Sequence, residues 1–374
     1  MTSSDKSSFL HRPTPRLEVD NLNPYSAPLE GRRQFLRLDF NENTLGPSPI
    51  VVNALRDIPA SEIAIYPEYG GLREAFIDNL RLQGLKNRFS LNQVGIFNGV
   101  DAAIHAIFHA YGDRSTELLT TSPTFGYYAP CAQMQGMDVQ SIPYEGEDFQ
   151  FPLRVIRKTL LERNPRLLFI CNPNNPTGTR LAPEKLIDMA VNSPGTLVVV
   201  DELYEAFSGD SVLPNVDFNM APNLLVLRSL AKTAGLAGLR MGFAIGCSEV
   251  IDYVSRVTGP YDINSFAVTA AFAALSDQAY VDSYVSQVLQ ARDWIKGQLV
   301  SSRIKHHIDG GNYFLVWPTI DPQEMSNSLK ESGILVREMS GKPLIDGSLR
   351  VSIGTQSQME QFWDVFSTLS KIAN

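Results

Sequence analysis

One lysine of the chain has surroundings that suit a reactive amine. Lys232 lies in the segment LRSLAKTAGLAGLRMGF, among Ala, Gly and Leu and without a neighbouring carboxylate. Apolar surroundings disfavour the charged form of an amine, which lowers its pKa and favours reaction as a nucleophile or base. Ser229 stands three residues before Lys232 and Arg240 eight residues after it. A hydroxyl and a guanidinium can both bind phosphate, so this loop is suited to hold an amine beside a phosphate site.

Two other segments place polar residues directly after apolar runs. In TLVVVDELYEAF, Asp201 follows four apolar residues and Tyr204 comes three positions later. A carboxylate at the end of a buried strand requires a cationic or donor partner, although the same residue could simply cap a helix. In CNPNNPTGT, two Asn-Pro steps followed by Gly178 indicate a rigid turn that presents asparagine side chains, or else a turn that only ends a strand.

A fourth segment, FNGVDAAIHAIFHAYG, predicts an anion site at the start of a helix. Gly99, Val100 and Asp101 open the helical pattern, where free backbone N–H groups and the helix dipole favour negative charge. His105 and His109 have the i, i+4 spacing of metal ligands, but the sequence has neither the HExxH glutamate nor a third ligand. We therefore expect these histidines in the core or on the helix surface, and no metal.

The elements that would position these residues alternate between strands and helices. Five short apolar runs predict strands: ELLTT at 117, RLLFIC at 166, TLVVV at 196, NLLVL at 223 and FAIG at 243. Runs that are apolar throughout are typical of strands covered on both faces, with helical crossovers between them. Ligands bind beyond the carboxyl ends of such strands, where the polar residues above would lie. We predict a mostly parallel central sheet sandwiched by helices in an α/β domain.

Changes in pattern divide the chain into three parts. Residues 1–35 are rich in Ser, Pro, Asn and Arg and predict an arm that lies on a surface. Residues 36–264 would form the large domain. Residues 265–374 would form a smaller α+β domain, with helices near 265–275 and 279–300, strands in NYFLVW at 312, ILVRE at 334 and LRVSI at 349, and a last helix from about 356.

Composition and charge exclude several classes of protein. The chain has 32 Lys and Arg against 40 Asp and Glu, and the net charge of −8 gives no footprint for nucleic acid or an anionic membrane. Three scattered cysteines, Cys131, Cys171 and Cys247, form no disulfide framework and indicate a reducing compartment. The first residues contain no apolar signal segment, and no later stretch is long enough to span a bilayer. We expect a soluble cytoplasmic protein.

Taken together, these segments resemble the fold-type I pyridoxal 5′-phosphate (PLP) enzymes, and among them the class I and II aminotransferases. Within that family the chain is most similar to the histidinol-phosphate aminotransferases. Besides the segments above, the resemblance rests on LDFNENTLGPSP at 38–49, IYPEYGGLREAF at 65–76, SPTFGYY at 122–128, GILVRE at 333–338 and SLRVSIGT at 348–355. It covers nearly the whole chain past residue 35, in the family's order.

The resemblance implies the residues that hold the cofactor ring. Lys232 would form the Schiff base, and Asp201 would pair with the pyridinium nitrogen and keep it protonated. Asn175 and Tyr204 would hold the phenolic oxygen of the ring, and Phe125 would stack on the ring face.

It also implies the phosphate and substrate contacts. Four residues would bind the cofactor phosphate: Ser229, Arg240 and, through their amides, Val100 and Asp101. Tyr66 would reach the same phosphate in the neighbouring subunit of a homodimer with shared active sites. Arg350 would clamp the substrate carboxylate.

Two features bear on the substrate. Arg337 has the spacing from Arg350 seen in histidinol-phosphate aminotransferases, which favours an anionic amine. Thr44 and Leu45 replace a Pro-Tyr pair of many of these enzymes, whose tyrosine lies near the substrate.

The implied reaction is a ping-pong transfer, through aldimine and ketimine stages, between an amine such as histidinol phosphate and 2-oxoglutarate. Three alternatives remain open at this point. They are a PLP-dependent decarboxylase of a phosphorylated amino acid, an aminotransferase for aromatic or other amino acids, and a non-catalytic binding protein of this fold. The last would be expected to lose Lys232 or Asp201, and both are present.

Overall fold

The computed structural model describes residues 13–20, 22, 30–86 and 89–371. Most of the predicted arm therefore lies outside the described residues. The described part includes α1 (Leu17–Asp20), which rests on the surface of the molecule. Arg16 donates a hydrogen bond to the carbonyl of Met134 at 2.8 Å, and Glu18 pairs with Arg114 at 2.5 Å.

Strands and helices alternate through the described residues. The strands are β1 (Leu36–Arg37), β2 (Val94–Phe97), β3 (Glu117–Ser122), β4 (Asp138–Pro143), β5 (Leu167–Cys171), β6 (Leu197–Asp201), β7 (Leu224–Ser229), β8 (Gly242–Gly246), β9 (His306–Ile308), β10 (Tyr313–Val316), β11 (Ile334–Leu335), β12 (Arg337–Glu338) and β13 (Leu349–Ser352). The remaining helices are α2 (Pro49–Arg56), α3 (Ala60–Ala64), α4 (Leu72–Leu82), α5 (Gly99–Tyr111), α6 (Tyr128–Met134), α7 (Leu153–Arg163), α8 (Pro183–Val191), α9 (Ser248–Arg256), α10 (Ser265–Ser276), α11 (Gln278–Ser301), α12 (Pro322–Glu331) and α13 (Gln356–Leu369).

A seven-stranded sheet with the order β2-β8-β7-β6-β5-β3-β4 forms the centre of the molecule. Strands β3 to β7 are parallel, while β8 runs antiparallel to both β7 and β2. The prediction of a mostly parallel α/β sheet is confirmed. The sequence analysis missed β2 and β4. In VGIF the apolar run is short and interrupted by glycine, and DVQSIP is an edge strand with only one fully buried residue, Ile142.

Both faces of this sheet are covered, as the continuous apolar runs predicted. Consecutive residues of β5 alternate between two buried clusters: Leu167 and Phe169 lie in one, Leu168 and Ile170 in the other. The same alternation along β6 places Val199 on one face and Val198 and Val200 on the other. A change of register would move apolar side chains out of these clusters. The packing therefore fixes the register of β6 and, with it, the position of Asp201 at its end.

A second, antiparallel sheet has the order β12-β13-β10-β9. The segment ILVRE, predicted as one strand, is divided into β11 and β12. β11 pairs in parallel with β1, whereas β12 pairs with β13. Val336 lies between the two strands, so one short segment belongs to two sheets.

Some contacts cross the boundaries predicted for the two domains. Helix α10, at the start of the predicted small domain, packs against α2 and α4. Conversely, β1 pairs with β11 of the C-terminal part. The segment that begins at Leu36 thus joins both parts, and the boundaries at 36 and 265 themselves stay predictions.

The 24-residue helix α11 packs one face into the core. Its buried residues recur every three or four positions: Tyr284, Val288, Ala291, Ile295 and Leu299. This amphipathic spacing is that of a surface helix of a globular protein. In the described part of the chain, no helix combines the length and the apolar character that crossing a membrane requires.

Candidate active site

A cavity of about 500 Å³ opens beyond the carboxyl ends of β3, β5, β6 and β7, where an open α/β sheet binds its ligands. It brings together residues from distant parts of the sequence. Its lining includes Phe40, Asn41, Asp101, Phe125, Tyr128, Asn175, Tyr204, Lys232, Arg240, Arg337, Lys342 and Arg350. Eight of these twelve were predicted from the sequence to be site residues.

Lys232 projects into this cavity from the loop after β7. Its Nζ donates a hydrogen bond to the carbonyl of Phe40 at 3.0 Å. Burial, and then the charge of Arg350, lower the pKa of Lys232 to about 8 against the opposing charges of Glu42 and Asp101. A substantial neutral fraction near pH 8 allows the amine to act as nucleophile and base, as the apolar loop predicted.

Asp201 ends β6 and is 2% exposed. Its Oδ2 accepts a hydrogen bond from the Tyr128 hydroxyl at 2.5 Å, and Oδ1 accepts one from the Leu203 amide at 3.2 Å. Burial raises the pKa of Asp201 to about 6 despite these two donors. Both donors are neutral, so a cation such as a protonated ring nitrogen would favour the carboxylate. The following segment is a turn rather than an α-helix, so helix capping does not explain Asp201.

Asn175 and Tyr204 are in direct contact. The Asn175 amide donates to the Tyr204 hydroxyl at 3.2 Å, and Asn41 donates to the same oxygen at 3.2 Å. Arg350 in turn donates to Oδ1 of Asn175 at 2.7 Å. The expected ring-oxygen and carboxylate contacts thus form one hydrogen-bonded network.

Asn41 and Tyr128 line the cavity but were not singled out from the sequence, although both lie in segments on which the resemblance rests. Asn41 belongs to LDFNEN and has a φ of 55°, a left-handed conformation that asparagine tolerates. Tyr128 belongs to SPTFGYY, where only Phe125 was expected to contact the cofactor. The Phe125 ring lies edge-on to the Tyr128 ring with centroids 5.5 Å apart. Tyr128, whose hydroxyl donates to Asp201, therefore also packs against Phe125.

The start of α5 forms a cradle of backbone atoms. Gly99 has a φ of +77°, and the residue before it, Asn98, makes no side-chain capping bond to the helix. A Cβ atom on Gly99 would lie 2.7 Å from Nη2 of Arg240, and one on Gly242 would lie 2.7 Å from Val100 N. Glycine at position 242 therefore permits the close approach of β8 to the backbone of the helix start, and glycine at position 99 suits the left-handed conformation there.

The charge pattern at this cradle fits a bound phosphate. Arg240 lies at the helix start and donates to Oδ2 of Asp101 at 2.7 Å. Ser229 pairs with Gly242 across β7 and β8, next to the same backbone, and its Oγ accepts from the Ala231 amide at 3.0 Å. Ser229 borders a neighbouring cavity rather than the main one. Helix N-terminus, guanidinium and hydroxyl together form the donor set expected for the phosphate of PLP.

A group of cations also lines the cavity. Arg337 and Arg350 are direct partners across β12 and β13, and Lys342 lines the same wall. Burial, and then the charges of Arg337 and Arg350, lower the pKa of Lys342. Lys342 was not predicted, because it lies in the loop MSGKPLIDG without a motif of its own. Like charges this close destabilise one another until an anion binds between them.

Six predicted site residues do not line the cavity: Gly99, Val100, Asp201, Ser229, Leu45 and Tyr66. The last two also lie exposed on the surface. Tyr66 is 69% exposed and stacks on Tyr261 with ring centroids 4.0 Å apart. Leu45 is 46% exposed, and its amide donates to Oδ1 of Asn43 at 2.8 Å. Within one chain, neither side chain reaches the residues gathered around Lys232.

The two histidines of α5 lie apart from this chemistry. His105 and His109 stack with ring centroids 6.2 Å apart, and His105 also contacts the hydroxyl of Tyr127. Among the residues that the structure describes, no cluster of three or more His, Cys, Asp or Glu side chains could hold a metal ion.

Comparison with known proteins supports the family resemblance found in the sequence. Residues 33–366 match the family described as aminotransferase class I and II. The chain is 32% identical over 354 residues to histidinol-phosphate aminotransferase 1 of Pseudomonas fluorescens, which covers 92% of this chain and 96% of the relative.

Two solved structures share the fold at 22% identity. Histidinol-phosphate aminotransferase of Sinorhizobium meliloti, in complex with pyridoxal-5′-phosphate, has a TM-score of 0.85 over 97% of this chain and 99% of that one. L-threonine-O-3-phosphate decarboxylase of Porphyromonas gingivalis has a TM-score of 0.76 over 90% and 99%. The fold is thus shared by proteins of two reaction types and does not by itself assign the reaction. The chain belongs to the class I and II aminotransferases, enzymes that depend on pyridoxal 5′-phosphate.

Proposed function

We propose that this enzyme transfers the amino group of histidinol phosphate to 2-oxoglutarate in a ping-pong reaction. The observation that carries the proposal is the group of Arg337, Lys342 and Arg350 on the cavity wall. The 32% identity to a histidinol-phosphate aminotransferase over nearly the whole chain supports the same substrate.

The two half-reactions place different anions in one site. Histidinol phosphate carries a phosphate and no α-carboxylate, whereas 2-oxoglutarate carries two carboxylates. Arginine binds either anion through a bidentate fork, and lysine adds a point charge. Arg350, already held by Asn175, would bind the carboxylate next to the reacting carbon. Arg337 and Lys342 would bind the phosphate in one half-reaction and the distal carboxylate in the other.

Bound PLP supplies an aldehyde for the substrate amine and a protonated ring that withdraws electrons from the reacting carbon. Lys232 would first hold the aldehyde carbon and, once displaced by the substrate amine, would carry a proton on Nζ between two carbons. Asp201 would hold the proton on the ring nitrogen. Asn175 and Tyr204 would orient the phenolic oxygen, and Phe125 would cover the ring face.

The active site is proposed to be completed by a second copy of the chain. Exposed apolar residues lie near Tyr66 on the surface: Ile63, Ile65, Tyr261 and Phe266. A monomeric protein rarely exposes such a group of large apolar side chains. Burial of this surface in a homodimer would allow Tyr66 to reach the partner's cofactor phosphate.

Incubation of the PLP-loaded enzyme with a panel of amines tests the proposal. Histidinol phosphate should convert the bound cofactor to pyridoxamine phosphate, and 2-oxoglutarate should restore it. Arg337→Ala should raise KM for histidinol phosphate by roughly 10- to 150-fold, the equivalent of about 1.5–3 kcal/mol for a charge-assisted hydrogen bond. Histidinol, which lacks the phosphate, is the matched control and should be little affected.

The same panel discriminates the alternatives. Faster conversion with aromatic or aliphatic amino acids than with histidinol phosphate would assign the enzyme another amine donor. Release of CO2 from a phosphorylated amino acid would favour the decarboxylase that shares this fold. Equal effects of Arg337→Ala on histidinol phosphate and histidinol would refute a phosphate contact at Arg337.

A further inference from the structure

The inference concerns Arg32, which lies outside the cavity and in none of the segments that suggested function. Arg32 makes a two-pronged contact with Asp39: its Nε donates to Oδ2 at 2.8 Å and its Nη2 to Oδ1 at 2.6 Å. The same Nη2 donates to Glu42 at 2.9 Å. The guanidinium also lies over the Phe40 ring, 4.2 Å from its centroid. One side chain thus contacts three of the four residues from 39 to 42.

The backbone of this short segment holds the reactive side chains. The carbonyl of Asp39 accepts a hydrogen bond from Nη2 of Arg350 at 2.5 Å, and the carbonyl of Phe40 accepts from Lys232 at 3.0 Å. The next residue, Asn41, donates to the hydroxyl of Tyr204 at 3.2 Å. Three consecutive residues therefore contact three different members of the site.

Backbone-to-backbone hydrogen bonds hold the chain up to Leu38, and the side chains of Ser352 and Asn312 hold the backbone of Asn41. The amides of Leu36 and Leu38 donate to the carbonyls of Gly333 and Leu335, and the carbonyl of Leu38 accepts from Ser352. Beyond Leu38 the carbonyls of Asp39 and Phe40 point to side chains of the site. The Asp39 side chain is buried and would be left without its charge partner if Arg32 were absent.

We propose that Arg32 is a positioning residue, which holds the carbonyls of Asp39 and Phe40 where they orient Arg350 and Lys232. The proposal rests on the roles proposed above for those two residues. A bidentate arginine fork suits this task because it fixes both the direction and the distance of a carboxylate. Arg32 itself touches neither substrate nor cofactor.

The charge of Arg32 also affects the field at Lys232. Burial alone would raise the pKa of Glu42, but the hydrogen bond and charge of Arg32 lower it, so Glu42 is ionised. Glu42 and Asp101 favour protonation of Lys232, while Arg350 and Arg240 oppose it. Removal of Arg32 would leave the charge of Glu42 less neutralised, and Lys232 should hold its proton to higher pH.

The experiment compares Arg32→Ala, Arg32→Lys and the control Arg37→Ala in the PLP-loaded enzyme. Arg37 also pairs with Glu42, at 3.4 Å, but contributes no fork to Asp39. One readout is a pH titration of the absorbance of the bound cofactor, which reports protonation of the Lys232 nitrogen. The other is KM for 2-oxoglutarate, which depends on Arg350.

We expect Arg32→Ala to move the titration midpoint upward by about one pH unit and to raise KM several-fold. Arg32→Lys keeps the charge but loses the fork, so it should leave the midpoint near that of the wild type and still raise KM. Arg37→Ala should leave KM unchanged and move the midpoint less than Arg32→Ala does, because Arg37 is more exposed and pairs with Glu42 at a longer distance. Arg32→Lys preserves the charge balance. If Arg32→Ala fails to fold, the KM of Arg32→Lys therefore still tests the proposal.

A wild-type midpoint and wild-type KM in the Arg32 variants, with only a lower melting temperature, would overturn the proposal and leave Arg32 a purely structural residue. Rejection of histidinol phosphate by all of these proteins alike would refute the proposed substrate instead. The absorbance titration still decides on Arg32 in that event, because it involves no substrate.

Discussion

Lys232 shows how a single buried charge couples reactivity to stability. Its pKa of about 8 lies below the 10.5 of an ordinary lysine, with burial as the main cause. An unfolded chain would hold the proton more tightly, so protonated Lys232 disfavours the folded state. This penalty is present in full below pH 8 and disappears as the pH rises from about 8 to 10.5. At neutral pH, the folded protein is thus less stable with Lys232 than it would be with an apolar side chain at this position.

We therefore predict that the cofactor-free protein captures PLP at a rate that rises with pH to a midpoint near 8, because only the neutral amine attacks an aldehyde. Borohydride reduction at each pH, followed by peptide mapping, measures the capture. The label should lie on Lys232 and be absent from Lys232→Arg. A midpoint near 10.5, or a label on another lysine, would contradict the prediction.

At the scale of elements, the phosphate cradle depends on how closely β8 and α5 approach each other. Gly242 of β8 lies beside Phe97 of β2, two residues before Gly99. A Cβ atom on Gly242 would come within 2.7 Å of backbone atoms of Gly99 and Val100. Backbone cannot rotate away as a flexible side chain can, so the start of α5 would have to shift.

We predict that Gly242→Ala destabilises the protein by about 1–3 kcal/mol, the usual cost of overpacking, and weakens PLP binding. Chemical denaturation of the cofactor-free protein measures the first effect, and titration with PLP measures the second.

Gly297→Ala is the matched control for this substitution. Gly297 lies on the exposed side of α11, and a Cβ atom there would meet nothing within 4 Å. Alanine at this position should be neutral or stabilise by up to about 1 kcal/mol, with PLP affinity unchanged. If Gly242→Ala behaved like Gly297→Ala, the close approach of β8 to α5 would not be what shapes the cradle.

At the scale of the whole molecule, the proposed homodimer explains the position of Tyr66. The residue is exposed and stacks on Tyr261 of its own chain, outside the cavity. A tyrosine that contacts the cofactor phosphate of a neighbouring subunit would lie exposed on the surface of its own chain.

We predict that mixtures of Tyr66→Phe and Lys232→Ala recover activity through shared sites. Each mixed dimer would contain one site with both defects and one with neither, so activity should exceed the sum of the separate variants. Size-exclusion chromatography of the mixture should show a dimer. Strictly additive activities together with a monomeric elution volume would rule out shared sites.

The sequence by itself predicted the elements with strong patterns. The five central strands predicted from apolar runs are all present, because a strand buried on both faces must be apolar throughout. The residues that follow those strands also lie where expected, since parallel strands end at one edge of the sheet. Lys232, Asp201, Asn175 and Tyr204 could be predicted as site residues because each lies at or shortly after the end of such a strand, in a recognisable segment.

Only the tertiary structure decided which residues from distant parts of the chain lie at that edge of the sheet. Asn41 and Lys342, which line the cavity, follow β1 and β12, and Arg32 precedes β1. These strands are two residues long and carry little periodicity in the sequence. The pairing of Arg337 with Arg350 was a matter of strand register, which a spacing of thirteen residues does not fix. The prediction of the site residues at the strand ends thus depends on local information in the sequence. Their pKa values and partners depend on burial and on contacts between segments far apart in the chain, which exist only after folding.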